Sequence, residues 1–91
     1  MTILARIYTR KITPSEAKYG YITIVEEAKD MFPGQWKGIR LYFKGKLHDL
    51  QVDGFYRIWL GKMKSLLDLK EGLTVEIERD PHGAYAILVR N

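Results

Sequence analysis

The sequence contains no cysteine and no long hydrophobic run, and each absence excludes a class of protein. Without cysteine the chain has no disulfide bond, no thiolate metal site and no cysteine nucleophile. A membrane-spanning helix needs about 20 consecutive apolar residues, and no stretch of this chain approaches that length. The N-terminus also lacks the architecture of a signal peptide. We therefore expect a cytoplasmic protein, of the prokaryotic cytoplasm or nucleoid, with no membrane partner.

The residue patterns that mark catalytic and cofactor sites are also missing. The glycines are too dispersed to form a phosphate-binding loop, and His48 and His82 stand alone without metal-ligand spacing. Two Glu-x-Lys triplets, at 16–18 and 27–29, are similar to part of a metal-dependent nuclease element but lack a convincing upstream acidic partner. We therefore expect a protein that is not an enzyme by itself and uses no cofactor, metal or small-molecule substrate. It could be the recognition domain of a larger nuclease.

What the chain does contain is enough apolar material for one core, together with an uneven distribution of charge. Its 91 residues are 46% hydrophobic and 12% aromatic, which predicts a single globular domain over 1–91. The net charge is +4, but the first 46 residues carry nine basic against four acidic side chains, whereas residues 47–91 carry six against seven. A basic half attracts polyanions, so nucleic acid is a candidate partner.

The hydrophobic pattern predicts a mainly β fold with short helices. Period-two alternation and β-branched or aromatic content predict strands at 1–10, 21–25, 39–44, 47–52, 55–60, 73–78 and 84–89. Apolar residues on one face predict short helices at 26–32 and 62–67, and Pro14 opens a single helical turn at 14–17. Turn dipeptides such as Pro33-Gly34 and Asp53-Gly54 separate these elements.

A unit of about 34 residues recurs in the chain without a gap. When the sequence is shifted by 34 residues, 20–24 fall on 54–58 and 38–43 fall on 72–77, with glycine on glycine at the start of each pair. One such strand-helix-strand unit cannot bury a core alone, but two units paired about a pseudo-twofold axis can close a barrel-like sheet. The repeat therefore predicts an open pseudobarrel of about seven strands built from two such units.

Four segments carry a resemblance to a known superfamily: Ile12-Thr13-Pro14-Ser15-Glu16, Gly20-Tyr21-Ile22-Thr23-Ile24, Ala28-Lys29-Asp30-Met31-Phe32-Pro33 and Leu69-Lys70-Glu71-Gly72-Leu73-Thr74-Val75. Taken together with the order of the predicted elements, these four segments resemble those of the DNA-binding pseudobarrel superfamily. It includes plant B-three-type transcription-factor domains and the N-terminal effector domains of certain type II restriction endonucleases. The resemblance implies sequence-specific binding of double-stranded DNA, in transcription regulation or in restriction. Relatives with one unit per chain dimerise, so two units in one chain imply a monomer.

In that superfamily two loops act as arms that clamp the major groove, and the resemblance implies where they lie here. The first arm, residues 10–19, has as its polar or basic candidates Arg10, Lys11, Thr13, Ser15, Lys18 and Tyr19. The second arm, residues 51–59, offers Gln51, Asp53, Tyr56, Arg57 and Trp59. These residue types suit base reading, because Arg pairs with guanine, Gln pairs with adenine and Asp accepts a hydrogen bond from cytosine. Lysine and hydroxyl side chains bind phosphates.

Two other functions remain open at the level of the sequence. The chain could bind RNA or single-stranded DNA if Tyr19, Tyr21, Trp36 and Trp59 served as stacking surfaces. The same aromatic residues also fit packing at the rim of a core, and the lysines of the first arm fit a solvated loop. A protein-interaction or assembly domain is the third possibility.

Overall fold

Seven β-strands and three short helices make up the computed structural model, which describes residues 6–90. The strands are β1 (Arg6–Lys11), β2 (Tyr21–Thr23), β3 (Gly38–Phe43), β4 (Lys46–Val52), β5 (Arg57–Trp59), β6 (Thr74–Arg79) and β7 (Tyr85–Arg90). The helices are α1 (Pro14–Tyr19), a 3-10 helix (Glu26–Met31) and α2 (Met63–Leu66). This is the mainly β fold with short helices that the hydrophobic pattern predicts. No helix within the described range is long and apolar enough to cross a bilayer.

All seven strands belong to one sheet, in the order β1-β6-β7-β3-β4-β5-β2. Neighbouring strands run antiparallel except β3 and β7, which are parallel. The sheet curls into a nearly closed barrel with β1 and β2 as its edge strands. Tyr8 spans the seam between these edges, because its hydroxyl donates to the Thr23 carbonyl at 2.6 Å and accepts from the Val25 N–H at 3.4 Å.

The two halves of the barrel are related by a pseudo-twofold axis that passes between Ile22 and Ile58. These residues face each other at the centre of the antiparallel β2–β5 ladder. The same symmetry relates the longer ladders, because β1 pairs with β6 as β4 pairs with β3. The strand β7 has no counterpart and lies between the two units, next to β6 and β3. The mainly β, seven-stranded barrel predicted from the sequence is therefore confirmed, and its strand pairing fits two related units.

The length of the repeat is 36 residues in the structure, where the sequence shift predicts 34. The strands β2 and β5 begin 36 residues apart, and so do β3 and β6. Gly20 therefore corresponds to Tyr56, which also has a positive φ, and the alignment of Gly20 with Gly54 is wrong. An error of two residues leaves the period-two alternation of a strand unchanged, so the apolar positions stay in phase under either shift.

The core consists of the inward-facing side chains of the strands together with the helices that cover the ends. Ile22, Leu41, Ile58, Val75 and Ile77 have no exposed surface. Their neighbours along each strand face solvent or are half-buried, as the alternation predicts. The inside of the barrel is thus filled by one hydrophobic cluster.

The ends of some elements differ from those that the pattern predicts. The fifth strand begins at Arg57 and not at residue 55, because Tyr56 has a φ of 57°, which ends extended backbone. The segment after β2 is a 3-10 helix, in which Ala28 N–H donates to the carbonyl of Val25 at 2.9 Å. The N-terminal strand predicted at 1–10 is present from Arg6, and residues 1–5 lie outside the described range.

Candidate nucleic-acid interface

The two arms lie at opposite ends of the β2–β5 ladder. The first arm leads into the start of β2, and the second arm ends in β5, which runs antiparallel to β2. One main-chain hydrogen bond closes each end of the ladder: Leu60 N–H donates to the Gly20 carbonyl at 2.9 Å, and Ile24 N–H donates to the Tyr56 carbonyl at 2.8 Å. Both arms are therefore attached to the same short piece of sheet.

The first arm is organised by the helix α1. Thr13 is the N-cap, since its hydroxyl accepts from the Glu16 N–H at 3.3 Å while the Glu16 carboxylate accepts from the Thr13 N–H at 2.9 Å. Pro14 occupies the first helical turn, where its missing N–H costs no hydrogen bond. Gly20 ends the helix with a φ of 78°, which a side chain would disfavour. The single turn predicted at 14–17 is thus a capped helix that reaches Tyr19.

Glu16 connects α1 to the two edge strands of the barrel, β1 and β2. Its side chain is 1% exposed, and it accepts hydrogen bonds from the Thr23 N–H at 2.7 Å and from Arg10 Nε at 3.2 Å. Burial alone raises the pKa of Glu16, but the N–H groups of Thr23 and Thr13 and the Arg10 guanidinium outweigh it, and the pKa lies below its ordinary value. The first arm is therefore held by an ionised, hydrogen-bonded carboxylate.

The six predicted residues of the first arm fall into two groups. Arg10 and Thr13 are half-buried, and both bind Glu16, so they form the base of the arm. The other four side chains are exposed: Lys11, Ser15, Lys18 and Tyr19. The exposed group combines two ammonium groups with two hydroxyls, a composition that suits contacts to phosphate oxygens.

Lys64, on α2, also supports the first arm, and the sequence pattern did not single it out. Its ammonium donates to the Lys18 carbonyl at 2.8 Å, and its aliphatic chain covers Gly20. A β-carbon at position 20 would lie 2.9 Å from Lys64 Cδ. The contact joins residues far apart in the chain, so no local spacing could have indicated it.

The second arm is organised by the carboxylate of Asp53. One oxygen accepts from the N–H groups of Phe55 and Arg57 at 2.8 and 2.9 Å. The other accepts from Arg57 Nε and from Trp59 Nε1, both at 2.7 Å. Burial by itself raises the pKa of Asp53, but hydrogen bonds from Trp59, Arg57 and Phe55 lower it to about 2. Asp53, predicted to contact a base, therefore has both oxygens occupied by its own arm.

Arg57 lies among three aromatic rings on the outer face of the β2–β5 ladder. Its guanidinium carbon is 4.9 Å from the ring centre of Phe55 and 5.2 Å from those of Tyr21 and Trp59. The rings of Tyr21 and Trp59 also pack against each other at 5.1 Å. Of the three guanidinium nitrogens of Arg57, only Nε is bonded within residues 6–90, which leaves both terminal nitrogens available as a planar pair of donors.

The remaining predicted residues of the second arm are Gln51 and Tyr56. Gln51 is exposed at the end of β4, opposite Trp59 in the ladder. Tyr56 is half-buried, and the ammonium of Lys29 lies 4.1 Å from its ring centre. Gln51 is thus free to contact a partner, whereas Tyr56 packs between the arm and the 3-10 helix.

A segment just before β3 completes the second arm. Gln35 Nε2 donates to the Gly54 carbonyl at 2.6 Å, and Trp36 N–H donates to the Val52 carbonyl at 2.8 Å. The Trp36 indole covers Gly54 so closely that a β-carbon there would lie 2.5 Å from Cζ2. The sequence pattern placed Trp36 only among possible stacking residues, because nothing local indicates that it meets residue 54.

The geometry defines a small barrel-like β domain with two arms that side chains hold in place, and the second arm carries an arginine surrounded by aromatic rings. Within residues 6–90, no group of three or more His, Asp and Glu side chains is placed to hold a metal ion.

No family model matches this sequence, and no curated protein matches it. Among solved structures, the chain is similar to the N-terminal domain of Helicobacter pylori LlaJI.R1. The TM-score is 0.74 at 10% sequence identity, over 94% of this chain and 88% of that chain. Similarity at this low identity shows a shared fold.

Proposed function

We propose that the chain is a sequence-specific double-stranded DNA-binding module whose two arms grip the major groove. It acts as a monomer and has no catalytic activity of its own. The observation that carries this proposal is Arg57, whose Nε is fixed by Asp53 while its two terminal nitrogens point to no acceptor within residues 6–90. An arginine held in this way can donate two parallel hydrogen bonds to guanine O6 and N7.

The distribution of fixed and exposed residues supports the same proposal. A hydrogen bond to Asp53 and contacts with aromatic rings restrict the conformation of the Arg57 side chain. Little side-chain entropy is therefore lost when Arg57 binds a base. Lys11 and Lys18 are exposed on the first arm, where they would contact phosphates on either side of the base that Arg57 reads. In this proposal the second arm reads a base, and the first arm binds the phosphate backbone of the DNA.

The difference in length between the arms supports binding to a non-palindromic site. The connection between β1 and β2 is residues 12–20, whereas the connection between β4 and β5 is residues 53–56, so the part of the first arm that lies outside the strands is longer. That extra length forms part of α1. Two unlike arms on one pseudo-symmetric body would contact unlike half-sites, and no second copy of the chain is needed.

The comparisons support the fold on which the proposal rests. The barrel matches a solved N-terminal domain, that of LlaJI.R1, over almost its whole length. The four motif segments resemble DNA-binding pseudobarrels, including restriction effector domains. In this proposal the chain is a member of that superfamily, acting in restriction or in transcription regulation.

Selection of bound duplexes from a random pool tests the proposal directly. We expect one motif to be enriched, and we expect the chain to bind that duplex at least about 100-fold more tightly than a scrambled duplex. The logarithm of affinity should fall with the logarithm of salt concentration, with a slope of about −0.9 per neutralised phosphate. Absence of any enriched motif, together with equal affinity for all duplexes at low salt, would overturn the proposal.

Matched variants separate base reading from phosphate binding. Arg57→Ala should cost about 1–3 kcal/mol for the selected duplex and relax specificity at one position. Lys18→Ala should weaken all duplexes alike and reduce the salt slope by about one unit. Arg6 and Lys46 are suitable controls, because each lies at the end of its strand opposite the arm. Arg6→Ala and Lys46→Ala should leave specificity unchanged.

A further inference from the structure

Two large aromatic side chains stand in solvent beside the second arm. Phe55 is 77% exposed and Trp36 is 74% exposed, more than any other large hydrophobic residue of the described chain. They flank the same position, since Phe55 follows Gly54 in sequence and the Trp36 indole covers Gly54. Large apolar groups gathered at one exposed place mark a binding surface more often than a scattered single residue does.

Main-chain hydrogen bonds fix the backbone at Trp36 in this exposed position. Its N–H bonds to the Val52 carbonyl at 2.8 Å, and the carbonyl of the next residue, Lys37, accepts from the Val52 N–H at 2.9 Å. Its φ of 64° is a left-handed conformation that a bulky side chain adopts at a cost in free energy. Backbone strain in a fixed and exposed aromatic residue is typical of a residue that contacts a ligand.

Phe55 is oriented by the groups that fix Arg57. Its N–H donates to Asp53 Oδ1 at 2.8 Å, and its ring lies 4.9 Å from the Arg57 guanidinium carbon. One face of the second arm therefore presents aromatic surfaces and a bidentate donor together. The exposed ammonium of Lys37 follows directly after Trp36 and adds a positive charge.

We propose that Trp36 and Phe55 bind a nucleobase that is unpaired and turned out of the DNA stack, next to the base that Arg57 reads. This inference rests on the proposed function and names the form of DNA that the second arm prefers. A nucleobase has the chemistry that the two aromatic side chains require, because it offers flat faces for stacking. The sugar phosphate attached to it carries the negative charge that Lys37 would meet.

The energetics give the proposal a measurable consequence. Turning a base out of a matched duplex costs free energy for lost pairing and stacking, and the cost is smaller when the base is already unpaired. Stacking on an aromatic side chain adds favourable free energy whether or not the base has a partner strand. A duplex with one unpaired nucleotide at the position that faces the second arm should therefore bind about tenfold more tightly than the matched duplex.

The experiment compares three probes of the selected sequence: the matched duplex, duplexes with a single-nucleotide bulge at each position in turn, and the single strand. We expect one bulge position to bind about tenfold more tightly than the matched duplex. Trp36→Ala and Phe55→Ala should each abolish that ratio, whereas Trp36→Phe, which keeps an aromatic face, should preserve most of it. Tyr42→Ala is the matched control, because Tyr42 is an exposed aromatic residue on β3, outside both arms.

The possible outcomes distinguish this inference from the proposed function. If the matched duplex is bound with sequence specificity and no bulge improves the affinity, the inference is wrong and the proposed function stands. If a bulge improves the affinity equally in the protein and in its Trp36→Ala and Phe55→Ala variants, the aromatic pair does not bind the base. If the single strand binds as tightly as the best bulged duplex, the protein is a single-strand binder and both proposals fall.

Discussion

Asp53 and Arg57 form an ion pair in which Arg57 Nε donates to Asp53 Oδ2 at 2.7 Å. The carboxylate contacts only the inner edge of the guanidinium, so the terminal nitrogens remain available. The pair Arg6–Asp30 is different, because both terminal nitrogens of Arg6 are bonded to the carboxylate at 3.0 and 3.1 Å. Asp53 therefore leaves the terminal nitrogens of Arg57 available, whereas Asp30 occupies both terminal nitrogens of Arg6.

Replacement of Asp53 should release the Arg57 side chain from its fixed orientation while leaving the charge of Arg57 unchanged. In Asp53→Asn we expect the preference for the selected duplex over a scrambled duplex to fall by about 1–2 kcal/mol, because the amide is a weaker acceptor for Arg57 Nε. Affinity for the scrambled duplex should not fall, since a negative charge has been removed. Titrations of both duplexes with Asp53→Asn, Arg57→Ala and the double variant measure the effect. Strictly additive losses would contradict coupling between the two residues.

The stability that Asp53 contributes should depend on pH in the acid range. Its pKa in the folded protein is about 2, below the ordinary value of 3.8. A group whose pKa is lowered by folding stabilises the fold above its unfolded pKa and loses that contribution as the pH falls through the folded pKa. The difference in unfolding free energy between the protein and Asp53→Asn should thus be largest above pH 4 and shrink toward pH 2. Urea denaturation at several pH values measures it, and a constant difference would contradict the assignment.

Glu16 should be the polar side chain whose loss costs the most stability. Glu16→Ala leaves the Thr13 and Thr23 N–H groups and the Arg10 guanidinium without their acceptor. We expect a loss of about 3 kcal/mol in unfolding free energy, as for other broken buried ion pairs. Glu26→Ala is the control, because Glu26 is exposed and its one ion pair among the described residues is with Lys29 on its own helix, so its loss should stay below about 0.5 kcal/mol. Equal effects of the two substitutions on urea denaturation would show that Glu16 does not hold the seam.

Ile22 and Ile58 should contribute alike to stability, because they occupy equivalent places on the pseudo-twofold axis. Each is fully buried, so Ile22→Ala and Ile58→Ala should each lower the unfolding free energy by about 2–5 kcal/mol. Ile7→Ala, at a residue that is 58% exposed, should cost less than about 1 kcal/mol. Urea denaturation of the three variants makes the comparison. A cost at Ile58 as small as that at Ile7 would contradict its place in the core.

Local patterns were sufficient for most elements of the fold. The alternation around Leu41 and Ile77 predicts β3 and β6 to within one residue at each end, since a half-buried strand requires period-two burial. The break at Tyr56 could not be predicted in the same way. Its left-handed backbone follows from the bonds that Asp53 makes with later residues of the arm, and no propensity of tyrosine indicates it.

Hydrophobic periodicity and short-range turn residues were enough to predict the mainly β class and the two-unit architecture, and the resemblance to DNA-binding pseudobarrels implied the places of both arms. Which arm residues are held by hydrogen bonds and which are exposed follows only from the folded chain. Arg10 and Asp53 are bound by their own arms, whereas Arg57 keeps two donors, and Trp36 joins the second arm from outside it. The physical reason is that these hydrogen bonds and contacts depend on side-chain positions that are set only once the barrel has closed.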